Sequence, residues 1–403
     1  MNIHDYTDKT VSSMAGLLGK RSVSAALRRV VRGPRSLTID IRLADQDDYV
    51  KAMSISGPLS LSVSAKDVIT YPHLGVIRYE VQLPEDMWRI YGVDELSSNA
   101  AIGVTSDKKE IGFSLGRPTS LVIGESGSGK SNLVNVMLAQ SMYQHDAESL
   151  RIGIVDPHGG FGGFASKSHM IGPPAQSKAE IADVFAWFNG ELEERKSMGE
   201  AKVVAEKLPM LWLVADECSS ADVIGEKGAL NEPNLEVMRR MVKEGRKFGL
   251  RTLIITQKPT EADLPGILSI ATNRYVGRVS KSVSANLSNS DTAQPYKLTG
   301  SGDFFHISPT GTMRFQAALL QQKHLDMIGN GEVSPWPRLV MDNDYEDSSP
   351  GRPRTEIEPE IVAAYMRRKI SKAEARDNFG FGHTIHYRYK DFAERLKREL
   401  NES

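Results

Sequence analysis

The chain has 403 residues, and its 50 Lys plus Arg against 51 Asp plus Glu leave a formal net charge of −1. That balance excludes a uniformly basic nucleic-acid packaging protein, while leaving room for a local basic face. The single cysteine, Cys218, excludes a disulfide framework and a Cys-type zinc site. A reducing, cytoplasmic location is therefore expected, and with no apolar run near the roughly 20 residues that cross a bilayer, no direct membrane span.

In chain order, Val11, Met14, Leu17 and Leu18 have helical spacing and lead into a basic cluster of Lys20, Arg21, Arg28, Arg29, Arg32 and Arg35. Alternating, strand-like runs follow: Leu37 to Leu43, then Leu59, Leu61 and Val63, then Ile77, Tyr79, Val81 and Leu83. Residues 1–115 thus read as a small α+β domain. Over 116–325, short runs that are apolar on both faces alternate with helical stretches. Strands are expected at Leu121–Ile123, Ile152–Val155, Leu211–Ala215, Leu253–Thr256 and Tyr275–Val279, in a mostly parallel sheet covered by helices. Residues 326–358, rich in Asp, Ser, Pro and Gly, read as a linker, and 359–403 as a basic helical module.

The segment Gly124-Glu125-Ser126-Gly127-Ser128-Gly129-Lys130-Ser131 fits the phosphate-loop pattern G-x-x-x-x-G-K-[ST], with a strand just before it and helix formers Leu133–Ala139 after it. The glycines let backbone N–H groups turn inward around an anion, and the following helix adds its positive end. Lys130 can reach the β- and γ-phosphates, and the Ser131 hydroxyl can ligate Mg²⁺. Asn132 closes the motif. A second strand, Leu211 to Ala215, ends in Asp216 and Glu217. Asp216 suits Mg²⁺, and Glu217 suits polarisation of an attacking water, so the adjacent acids favour ATP hydrolysis over phosphorylation of a small molecule. Cys218 reads as a small buried residue.

Further motifs occur in a family-like order. The next strand ends in Asp156-Pro157, and a helix carries Glu193-Glu194-Arg195. Gly245-Arg246-Lys247-Phe248-Gly249 precedes a strand ending in Gln257-Lys258-Pro259. Later comes Leu298-Thr299-Gly300-Ser301-Gly302-Asp303-Phe304. This motor segment resembles the FtsK/SpoIIIE–HerA group of hexameric DNA translocases over about 200 residues, and weakly upstream from Gly33-Pro34. His158 and Cys218 depart from that pattern, as does the polar N-terminus. The implied fold is α/β: a RecA-like P-loop motor with a mostly parallel central sheet, an N-terminal α+β domain and a C-terminal helix-turn-helix or winged-helix-like domain.

The resemblance implies roles. Gln257 would sense the γ-phosphate. Arg246 would reach the ATP of a neighbouring subunit, a contribution of roughly 10³–10⁵ in rate for a finger supplied in trans. Lys258, Arg278 and Lys281 would face DNA, whose affinity for proteins comes mainly from phosphate contacts.

Residues 361–398 hold ten basic and four acidic side chains. Ile385, Tyr389, Phe392 and Leu396 make an apolar stripe, with His386, Tyr387, Arg388 and Lys390 opposite. Such a helix reads as a major-groove reader, with a protein-docking module as the alternative. The expectation is an ATP- and Mg²⁺-dependent double-stranded DNA translocase acting as a homo-oligomer, a hexameric ring, in DNA transfer or packaging. The alternatives are a protein-moving secretion motor and an ATP-switched DNA-binding scaffold.

Overall fold

A computed structural model of the protein describes residues 2–117, 119–217, 234–257, 259–261, 264–287 and 293–336. The chain divides into two compact units, Met1–Leu339 and Val340–Ser403, and every described residue belongs to the first. Cys218, Lys258, residues 337–358, and the module 359–403 with His386, Tyr387, Arg388 and Lys390 lie outside the described residues.

The chain begins with helix α1 (Ile3–Lys20), whose Asn2 side chain caps the Asp5 N–H. Tyr6, Thr10, Met14 and Leu18, one turn apart, are its buried stripe. They cover a four-stranded antiparallel sheet of β1 (Ala25–Arg32), β2 (Ser36–Leu43), β3 (Val68–His73) and β4 (Val76–Gln82), in the order β1-β2-β4-β3. Helices α2 (Tyr49–Met53) and α3 (Ser56–Val63) connect β2 to β3.

The alternation of Leu59, Leu61 and Val63 is helical, not strand-like. A spacing of four brings Leu59 and Val63 onto one face of α3, both buried, while Leu61 between them is 83% exposed. The same four-residue spacing is two periods of a strand, so these three positions satisfied both patterns.

A nine-stranded sheet forms the rest. Its strands are β5 (Ala101–Thr105), β6 (Glu110–Gly112), β7 (Thr119–Ile123), β8 (Leu150–Val155), β9 (Met210–Ala215), β10 (Leu250–Thr256), β11 (Asn273–Val276), β12 (Asp303–Ser308) and β13 (Gly311–Ala317), ordered β6-β5-β13-β12-β11-β7-β10-β9-β8. Strands β11, β7, β10, β9 and β8 are mutually parallel. The other four extend the sheet antiparallel, which makes it mixed. Strands β5 and β6 precede residue 115, so the large sheet begins well before the boundary expected from composition.

Helices α4 (Lys130–Gln144), α5 (Lys178–Met198), α6 (Glu200–Ala205) and Asn234–Glu244 cover the parallel half. Alternate residues of β7 feed the two faces. Val122 enters one apolar cluster with Leu133 and Met137 of α4, whereas Leu121 and Ile123 enter the other with Val184 and Phe188 of α5 and Met238.

Residues 326–336, expected to begin a linker, pack onto this sheet. Ile328 and Trp336 are buried, and Trp336 Nε1 donates to Pro173 O at 2.6 Å. A Cβ at Gly172 would lie 2.7 Å from the Trp336 ring, so that glycine is what admits the indole. No helix of the described residues is long and apolar enough to cross a membrane.

The two sheets meet along a polar seam. On β4, Ile77, Tyr79 and Val81 face the N-terminal core, while Arg78, Glu80 and Gln82, also buried, serve the seam. Arg314 of β13 pairs with Glu80 at 3.0 Å and doubly with Asp303 of β12 at 2.9 and 3.0 Å. Tyr71 donates to the other Glu80 oxygen at 2.9 Å, and Gln82 donates to Lys297 O at 2.8 Å.

Candidate nucleotide site

The phosphate loop joins the C-terminal end of β7 to the N-terminus of α4. Gly127 and Gly129 sit at φ +77° and +96°, the left-handed region that glycine adopts without steric cost. The Lys130 ammonium curls back over the loop and donates to Gly124 O at 2.7 Å and Glu125 O at 3.1 Å. Burial lowers its pKa, opposed by the charges of Glu217, Asp216 and Glu125. Ser131 occupies the first turn of α4 and is exposed.

Strand order sets the remaining groups. Because β10 lies between β7 and β9, the acidic strand end is two strand spacings, about 10 Å, from the phosphate loop. Gln257, at the end of β10, fills that interval and donates from Nε2 to Glu217 Oε2 at 3.0 Å. Glu217 adopts φ +53°, uncommon for a residue with a side chain, as the chain turns off β9.

Asp216 beside it is half-buried. Burial above all, with the neighbouring charges of Glu217 and Asp156, pushes its carboxyl pKa up to about 6; the Glu217 N–H and Lys130 oppose the rise. The end of β8 brings in Asp156, fully buried, whose two oxygens accept the N–H groups of Gly160 at 2.8 Å and Phe161 at 2.9 Å. The Gly160 Cα borders both Asp156 and Ser131: a Cβ there would lie 3.9 Å from Asp156 Oδ1 and 4.0 Å from Ser131 Oγ, in ordinary contact with each. Three carboxylates thus converge with one ammonium, a collection whose net negative field fits a cation. Ser131 and Asp216 are the residues that would hold Mg²⁺, with phosphate oxygens completing the shell. Among the described residues, no group of three or more His, Cys, Asp or Glu forms a metal cage of its own.

Other expected residues fall elsewhere. Asn132 is tied to the chain near β13, donating to Ala318 O at 2.8 Å and accepting from Leu320 N at 3.3 Å. Arg246 is exposed in a short 3-10 turn, Gly245–Phe248, ahead of β10. That is the opposite end of the strand from the phosphate loop, some 20 Å away at about 3.3 Å per residue. The buried Arg195 of α5 braces this turn, its Nη1 donating to Phe248 O at 3.0 Å and Pro209 O at 2.9 Å. Arg278 and Lys281 follow β11 and are exposed. The Arg278 side chain lies 3.6 Å from Glu125, and its carbonyl accepts the Glu125 N–H at 2.8 Å.

Sequence reasoning assigned no role to Asp156 or to Gly300–Gly302, although both belong to motifs it quoted. Ser301 N–H donates to Gly127 O at 3.1 Å, and Gly302 N–H to Ser128 O at 2.8 Å, so this turn clasps the phosphate loop. It packs tightly enough that a Cβ at Gly129 would lie 2.5 Å from Gly302 N.

Comparison with known proteins adds a likeness of sequence and of fold. A model of the FtsK/SpoIIIE family matches residues 80–206, from β4 through α6. DNA translocase SftA of Bacillus subtilis (strain 168) is 22% identical over 350 residues, covering 78% of this chain and 36% of the relative. DNA translocase FtsK of Helicobacter pylori (strain J99) is 24% identical over 356 residues, covering 80% of this chain and 41% of the relative. The chain therefore spans less than half the length of either. Among solved structures, the pCW3 conjugation coupling protein TcpA, in a monomer form with ATPgS, superposes with a TM-score of 0.51 at 18% identity, covering 79% of this chain and 96% of that one. The phosphate loop lies within the residues that match the FtsK/SpoIIIE family model, and the acid pair two strands away lies just beyond them, so the likeness is to a P-loop ATPase of that family over residues 80–206.

Proposed function

We propose that this protein hydrolyses ATP and uses the energy to move double-stranded DNA through a ring of identical subunits. The observation that carries the hydrolytic half is the Gln257–Glu217 hydrogen bond, set between the phosphate loop and the acidic strand end. Glu217 accepts a hydrogen bond from water and aims it in line at the γ-phosphorus; the water O–P bond forms as the bond to the β–γ bridging oxygen breaks. Lys130 exchanges its bonds to the Gly124 and Glu125 carbonyls for phosphate oxygens. Mg²⁺, when bound, neutralises charge on those oxygens. Gln257 holds Glu217 in place.

Arg246 is too far from its own phosphate loop to act there, which fits a role at the site of a neighbouring copy. Arg278 supports the DNA half of the reading. Its backbone holds the phosphate loop while its cationic side chain stands exposed, so loop movement carries a phosphate-binding group with it. The DNA-translocase names of the relatives point the same way.

Displacement of a third strand from a duplex tests the proposal. Wild-type protein with ATP should strip the strand, and Glu217→Gln should not. Hydrolysis without displacement, in the presence of duplex, contradicts a motor that tracks DNA.

A further inference from the structure

We infer that Arg35 is a positioning residue for the phosphate loop, through which the N-terminal sheet sets nucleotide affinity. This rests on the reading of that loop as the nucleotide site. Arg35 lies in the turn between β1 and β2 and is 3% exposed. Gly33 lets that turn close on the β5–β6 hairpin, since a Cβ there would lie 2.8 Å from Ser106 O. The Arg35 carbonyl accepts the Leu83 N–H at 2.9 Å, and its guanidinium stacks 4.2 Å from the Trp88 ring centroid, so the side chain is fixed at both ends.

The guanidinium reaches residues more than 260 positions later. Nη1 donates to Thr299 Oγ1 at 3.0 Å and Gly300 O at 2.8 Å; Nη2 donates to Ser301 O at 2.7 Å. Those acceptors belong to an unusual turn. Gly300, Ser301 and Gly302 lie at φ +80°, +50° and +94°, three left-handed residues in succession, one of them with a side chain. Such a backbone persists only where surrounding bonds over-determine it. Its outward face supplies the Ser301 and Gly302 N–H groups to the Gly127 and Ser128 carbonyls. The relay therefore runs from Arg35 to a strained turn and from that turn to the phosphate loop, by hydrogen bonds at each step. Thr299 also donates to Asp303, the partner of Arg314, so a second connection to β4 backs the first.

Removing Arg35 leaves the Gly300 and Ser301 carbonyls without their charged donor and frees the turn to relax. The loop then loses the shape that aims its N–H groups at phosphate. Calorimetric titration of the full chain with ATPγS and Mg²⁺ tests this. Arg35→Ala should weaken binding about tenfold, the scale of one or two lost hydrogen bonds. Arg35→Lys should weaken it nearly as much, because an ammonium does not span the three acceptors as a planar fork does. The rise should fall on KM for ATP more than on kcat. As a control, Tyr79→Phe removes the buried Tyr79-to-Ala52 O bond in the same domain and should lower Tm while leaving affinity unchanged. The proposal fails if Arg35→Ala and Arg35→Lys bind as wild type does, or if Tyr79→Phe weakens binding equally. Wild-type protein that does not bind ATPγS would instead remove the nucleotide reading on which the proposal stands.

Discussion

Gln257 and Glu217 are joined at 3.0 Å across the ends of β10 and β9, 40 residues apart in sequence. The bond exists because β10 is inserted between the phosphate-loop strand and the acidic strand. Glu217→Gln should keep MgATP affinity and lower kcat about 10²–10⁴-fold, the usual worth of a positioned base. Single-turnover hydrolysis beside equilibrium binding checks it. Normal turnover would show that another group aims the water.

Asp216 predicts a pH dependence. Its carboxyl pKa is raised from 3.8 to about 6, chiefly by burial. The native state therefore holds that proton more tightly than the unfolded chain does. The contribution of this group to stability falls as pH rises between those two values, and stays lost above them. Asp216→Asn should accordingly raise the Tm of the nucleotide-free protein at pH 8 and change it little near pH 4, while abolishing Mg²⁺-dependent hydrolysis. A lower Tm at pH 8 contradicts the electrostatic account.

Arg246 predicts complementation. Arg246→Ala and Lys130→Ala proteins should each be inactive in hydrolysis. Mixed together they should recover part of the rate, because a Lys130→Ala subunit still presents its arginine to an intact phosphate loop. Steady-state rates across mixing ratios report this, and a strictly flat response is evidence against action in trans.

Lys281 is exposed at the start of a short helix, Lys281–Leu287. Lys281→Ala should weaken duplex binding evenly across sequences and reduce the slope of log affinity against log salt by about 0.9. An unchanged slope would place Lys281 away from the phosphates.

The seam between the sheets predicts a stability loss. Arg314→Leu leaves Glu80 and Asp303 buried without their shared cation, and should cost about 3–5 kcal/mol in denaturant unfolding. A loss below 1 kcal/mol would show that water reaches the seam.

The parallel half of the large sheet was legible because its strands are short apolar runs bounded by turns, and the phosphate loop because its chemistry demands fixed residues at fixed spacing. The antiparallel half was not. Strand β13 carries the buried Arg314, and a charged residue in a strand ordinarily marks a solvated face. The partners of the basic cluster near the N-terminus were equally hidden in the sequence. Arg29 pairs with Asp107, Arg32 donates to Met87 O, and Arg35 reaches the Thr299–Ser301 turn. Nothing local separates these three fates, which depend on partners from 55 to more than 260 residues away. Asp156 lay in a quoted motif, yet only the strand order shows that it neighbours Asp216.

The central claim is that ATP hydrolysis here serves duplex DNA. Steady-state hydrolysis at fixed salt, measured alone and with duplex DNA, single-stranded DNA or RNA, tests it most directly. The account predicts strong stimulation by duplex and little by the other polymers. Equal rates in all four conditions would contradict it.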